Sequence, residues 1–146
     1  MADDARRRLE AERQDANDLG RRVRKHADIL YSQLDRLIPE CVQALRELGV
    51  KPGHLTPRDK RRTFQRRGKM GWSFAIYTTH IADGDWYFSI QAAEDGTWSW
   101  AQRPSDHAQR VVGAIAYNLA HDIEPLWPES RQRESLSDQV TKMART

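Results

Sequence analysis

Between Trp72 and Ala101 the chain alternates between large apolar residues and small or polar ones, and this period of two constrains the fold most. Trp72, Phe74 and Ile76 alternate with Ser73, Ala75 and Tyr77. Trp86, Phe88 and Ile90 alternate with Tyr87, Ser89 and Gln91, and Trp98 and Trp100 alternate with Thr97, Ser99 and Ala101. Successive side chains of a strand point to opposite faces, so each run predicts a strand with one aromatic face. Asp83-Gly84 and Asp95-Gly96 separate the runs. Asp-Gly accepts the positive φ of a tight hairpin turn, which predicts a three-stranded antiparallel meander with one face buried.

Upstream the period is helical. Val23, Ala27, Leu30, Leu34, Leu37, Cys41, Ala44 and Leu48 recur at alternating spacings of four and three, which is a heptad seam. Tyr31, Ile38 and Leu45 widen it into a face suited to a globular core. Pro39 removes a backbone donor and crowds the preceding turn, so it either kinks one long helix or opens a second at its first turn. Gly49 and then Pro52 end the helix. Residues 1–22 carry only Leu9 and Leu19 as large apolar side chains and read as a charged helical extension open to fraying.

A C-terminal helix is expected after the strands. Asp106 with Gln109 resembles a capping box, with Ser105 as the other candidate cap. Ala108, Val111, Val112, Ile115, Leu119, Ile123 and Leu126 form its apolar stripe, and Pro125 and Pro128 end it. Residues 129–146 read as a polar tail in which Leu136, Val140 and Met143 mark one short docking helix. The fold class is therefore α+β: a long N-terminal helix, a three-stranded meander, and a C-terminal helix packed on the aromatic sheet face. Residues 23–128 are expected to form one domain, with a basic loop at 51–71.

Composition narrows the function. The longest stretch without a formal charge, Met70 to Ala82, has 13 residues, against roughly 20 for a membrane-spanning helix. The first residues have no apolar core of a secretory signal. Cys41 is the sole cysteine, which excludes an internal disulfide and a multi-thiolate metal site and suggests a reducing, cytoplasmic setting.

Catalytic patterns are scarce. The chain has no GxxxxGK[ST], GxGxxG or GxSxG sequence, and its histidines His26, His54, His80, His107 and His121 form no HExxH or HxxxH pair. His121 with Asp122 and Glu124 is the densest histidine–carboxylate group, but neighbours on a helix diverge by about 100°. His80, Asp83 and Asp85 gather at a hairpin where turn chemistry accounts for both aspartates. Cys41 lies in the apolar seam and reads as a small buried hydrophobe. No enzyme, cofactor or metal site is expected.

Charge distribution carries the positive signal. The formal net charge is +3, yet residues 49–71 hold eight bases and one acid, while residues 1–48 balance ten against ten. Arg58, Lys60, Arg61, Arg62, Arg66, Arg67 and Lys69 fall within twelve residues that also contain Phe64. Such cations neutralise phosphates and release counterions, and an aromatic ring stacks on unpaired bases. The first expectation is nucleic-acid contact through residues 58–69, DNA or RNA. A plain alternative is a solvated loop, or a charge partner for the acidic turns at Asp83, Asp85, Glu94 and Asp95. The other functional expectation is a protein-interaction or regulatory module acting through the N-terminal amphipathic helix, with a protein partner or self-association along residues 23–48.

Overall fold

The computed structural model describes residues 1–55, 69–80, 85–101 and 104–146. The described residues form helix α1 (Ala2–Glu47), strands β1 (Gly53–His54), β2 (Met70–His80), β3 (Asp85–Ala93) and β4 (Trp98–Trp100), then helices α2 (Pro104–Ala120) and α3 (Glu129–Arg145). The sheet is antiparallel throughout, in the order β1-β2-β3-β4. It therefore has four strands rather than three. The additional strand is two residues long, pairing Gly53 with Gly71 and His54 with Met70, and two residues are too few to show a period.

The meander follows the alternation. Phe74 pairs with Ile90, Ile76 with Phe88, and Ile90 with Trp100. Trp72, Phe74, Ile76, Phe88, Ile90 and Trp100 are all buried in one core with α1 and α2. The side chain of Trp86 lies outside those described. From α1, Tyr31 sits 5.9 Å from the ring of Trp98 and 6.2 Å from that of Trp100. Asp35 of the same helix accepts a 2.8 Å hydrogen bond from Trp98 Nε1. Burying each large apolar side chain contributes roughly 1.5–3 kcal/mol, so this layer dominates cohesion.

Helix α1 runs unbroken through Pro39. Its seam from Val23 to Leu45 is largely buried and packs on the chain's own sheet and helices, the core role that its widened apolar face favoured over pairing with a partner. Leu48, the last member of the sequence seam, is exposed. Helix α2 ends at Ala120, six residues before the expected limit. Asp122 there takes φ 54°, a left-handed conformation that stops an α-helix. Val111, Ala114, Ile115 and Leu119 form its buried stripe, and Val112 turns out to solvent.

The short docking helix expected in the polar tail is α3, which takes up nearly all of it from Glu129 to Arg145. Leu136 and Val140 are buried, with Met143 packed against the core. The helix runs beside the open edge of β2, which β1 covers only at Met70 and Gly71. Ala75 and Tyr77 turn backbone groups away from β3 toward α3. Gln139 accepts from the Ala75 N–H at 2.8 Å and donates to its carbonyl at 2.9 Å, as a neighbouring strand would. Gln132, fully buried, donates to the Tyr77 carbonyl at 2.6 Å. Further along, Leu126 forms a bridge with Thr78, and Thr79 donates to the Glu124 carbonyl while accepting from Asn118 at 2.9 Å. Two ion pairs tie α3 to α1, Arg36–Glu129 and Arg133–Glu40, both exposed and therefore screened by water and salt.

Removing an edge amide should therefore cost stability. Gln139→Ala and Gln132→Ala each leave half-buried backbone groups of β2 without a protein partner and are expected to destabilise by about 1–2 kcal/mol in urea titrations. Gln43→Ala, which loses only an exposed bond to Glu47, is expected to change stability by less than about 0.5 kcal/mol.

Candidate nucleic-acid interface

The basic stretch joins β1 to β2. Of the residues expected at the interface, Lys69 is described, whereas Arg58, Lys60, Arg61, Arg62, Phe64, Arg66 and Arg67 lie outside the described residues. What the structure defines is the base from which they leave and to which they return. Leu55 N–H donates to the Lys69 carbonyl at 2.9 Å, and Leu55 is itself buried. At Gly71 a Cβ would stand 1.9 Å from the Ala92 carbonyl oxygen, so only glycine lets β2 approach β3 this closely.

The turn between β3 and β4 braces the same base. Glu94 N–H donates to the Met70 carbonyl at 3.1 Å, and the Arg46 guanidinium near the end of α1 donates to the Glu94 carbonyl. Lys69 Nζ lies 3.9 Å from Asp95 Oδ2, both side chains more than half exposed. The Asp95 carboxyl is held below its usual range, first by the Thr97 hydroxyl and backbone N–H that it accepts from, and less by Lys69. Lys69 thus has an acidic turn as its near neighbour, the arrangement the plain alternative expects of this one residue.

A second cationic group stands on α1 and escaped the regional charge count, because the ten acids of residues 1–48 cancel it in the sum. Four of the five residues from Arg21 to Lys25 are basic; a five-residue window would have found them. Arg21, Arg24, Lys25, Asp28, Ile29, Ser32 and Arg36 line an open groove of about 610 Å³ on the outer side of the helix. Arg21 pairs with Asp18 and Arg36 with Glu129. Arg24 and Lys25 are exposed and have no ion-pair partner among the described residues.

The outer face of the sheet holds an aromatic stack. The rings of Tyr77 and Trp127 lie 4.8 Å apart and nearly parallel, Tyr87 stands 6.2 Å from Tyr77, and the Arg131 guanidinium lies 3.7 Å from the Trp127 ring centroid. Trp127 falls between two prolines, outside any periodic run, which is why pattern reading passed over it.

The other sequence candidates take structural roles where they are described. His121 is exposed, with Nδ1 2.8 Å from the Tyr117 carbonyl and its ring stacked on Tyr117. Asp83 and the side chains of His80 and Asp85 lie outside the described residues. Among the described residues no group of three or more His, Cys, Asp or Glu side chains is placed to hold a metal ion. None of the described helices is long and apolar enough to cross a membrane. Comparison with family models, with curated proteins and with solved structures finds no match to this chain.

Burial pushes the Cys41 thiol up to about 11, with Glu40 adding to the shift. The folded protein thus keeps a proton that the unfolded chain releases near pH 9, and stability falls as pH rises from about 9 toward 11. The loss should appear as a difference between wild type and Cys41→Ala in pH-dependent denaturation. At pH 8 the native thiol should stay unreactive to a disulfide reagent and become reactive on unfolding.

Proposed function

We propose that this is a non-enzymatic, cytoplasmic protein that binds nucleic acid through phosphate contacts. The cations of the β1–β2 connection, Arg58, Lys60, Arg61, Arg62, Arg66, Arg67 and Lys69, carry the contact, with Phe64 available to stack on a base. The observation behind the reading is the charge imbalance: residues 49–71 hold eight bases against one acid, in a chain whose other residues are together net acidic. The braced base at Leu55, Lys69 and Arg46 supports it, because it ties both ends of the connection to the sheet. Phosphate contact confers affinity with little base discrimination.

A second reading, a protein-interaction module acting through the N-terminal helix, is favoured by one observation. Every residue of α1 up to Asp18 is exposed, and Ala2, Leu9 and Ala16 continue the seven-residue series of the buried Val23, Leu30 and Leu37.

Binding across a salt series separates the two readings. The first expects affinity for DNA or RNA at low salt that falls linearly in log–log form as salt rises. Replacing Arg61, Arg62, Arg66 and Arg67 by Ala should flatten that slope by about one for each phosphate no longer neutralised, with an unchanged circular dichroism spectrum. Affinity that ignores salt, or none at low salt, would refute it. Removing residues 1–18 should leave nucleic-acid binding intact under the first reading and abolish partner binding under the second.

A further inference from the structure

We propose that helix α3 is a strap that opens from an otherwise folded domain, and that the β2 edge it uncovers pairs with the same edge of a second copy of this chain. The inference stands apart from the nucleic-acid reading and uses none of its residues.

The edge comes first. β2 pairs with β3 in a register that sets Phe74 opposite Ile90 and Ile76 opposite Phe88. Neighbours along a strand turn their backbone groups to opposite sides, so Ser73, Ala75 and Tyr77 point away from β3. β1 reaches no farther along β2 than Gly71. The three residues lie in the longest uncharged stretch of the chain, Met70 to Ala82, which also lacks proline. Exposed edges are ordinarily guarded by charged side chains, proline or a bulge. From Gly71 to Tyr77 the sequence has neither charge nor proline and the register is regular, so the guard of this edge is α3.

The manner of covering identifies what else fits. Gln139 gives Ala75 both an acceptor and a donor, and Gln132 donates to the Tyr77 carbonyl. A carboxamide is a peptide group carried on a side chain, so the edge is already bound to a stand-in for a neighbouring strand. An added strand supplies the same groups in a row. β2 of a second copy does so about a two-fold axis at Ala75. Ala75 then faces Ala75, Ser73 faces Tyr77, and Phe74 lies beside Ile76, with no like charges opposed. Strap and second strand use the same backbone groups and exclude each other.

The hold on α3 is light enough for it to open alone. It buries Gln132, Leu136 and Val140, whereas α1 buries ten residues. Its ion pairs to α1 are exposed. Pro128, extended at φ −58° and ψ 151°, precedes the helix and gives it no side-chain cap. Leu126 and Trp127, just before it, are buried, and Leu126 is bridged to Thr78. The hinge therefore falls at Pro128, and the contact nearest to it that opening breaks is Arg131 over the Trp127 ring.

Hydrogen exchange of the full chain tests the strap without any substitution. The amides of α3 and the Ala75 N–H should exchange together, and faster than those of Phe74 and Ile76, which point to β3. Exchange of α3 in one step with α1 and β3 overturns the strap. Sedimentation velocity tests the pairing. Gln132→Ala/Gln139→Ala, with helix content checked by circular dichroism, should dimerise at a concentration at least about tenfold below that of wild type. Adding Ala75→Lys or Ala75→Glu should return it to monomer, because like charges then meet at the axis, and an equimolar mixture of the two chains should dimerise again. A folded Gln132→Ala/Gln139→Ala protein that stays monomeric, or a dimer that ignores the charge at position 75, overturns the pairing. The same Ala75→Lys and Ala75→Glu changes in the otherwise wild-type chain need no weakened strap. Their mixture should associate at a lower concentration than either chain alone, and equal association overturns the two-fold register.

Discussion

The open edge of β2 is the constraint around which the rest of the molecule is arranged. Beyond Gly71 the strand has a neighbour on one side alone, and a bare strand edge is a row of unpaired hydrogen-bonding groups that recruits other chains. The chain meets this with side chains rather than with another strand. Gln139 offers both halves of its amide to Ala75, Gln132 one half to Tyr77, and the segment from Glu124 to Leu126 meets Thr78 and Thr79. Helix α3 must lie where these amides reach, and that position also sets the two ion pairs to α1. Its seat follows from hydrogen-bonding need as much as from its two buried apolar residues.

The division of labour between the sheet faces follows from the same arrangement. The inner face is aromatic and packs under α1 and α2. The outer face keeps Tyr87 exposed beside Tyr77 and Trp127. Rings there close on one another and on Arg131 instead of entering the core. The cation over the Trp127 ring contributes about 0.5–2 kcal/mol, more where water is excluded.

How much of this was legible in the sequence depends on whether the feature has a period. Alternation at Trp72–Ile76, Phe88–Ile90 and Trp98–Trp100 revealed the meander because burial of one face repeats every second residue. The turn at Gly96, with φ 87°, was visible because few other residues tolerate that angle. Strand β1 was not visible, since two residues repeat nothing. The glutamines of α3 were hidden for another reason: a polar residue whose partner is distant backbone looks the same in sequence as one facing water. The end of α2 was misplaced because the prolines at 125 and 128 announce a stop more loudly than the left-handed Asp122 that imposes it. Of the candidate interface, the cluster at 58–69 stood out by local charge density. The basic run at 21–25 did not, because the acids near it along the chain cancel it in any long-range sum.

The edge seal also has an order in time. Domains are synthesised from the N-terminus, at roughly 5–20 residues per second. α1, the sheet and α2 are all synthesised before Gln132 and Gln139 are added. A chain that has reached the end of α2 carries the residues of nearly its whole core, while β2 still lacks the amides that seal its edge. A chain cut between α2 and α3 would keep most of its core yet stay open along one strand, a form suited to capture by chaperones or by its own copies.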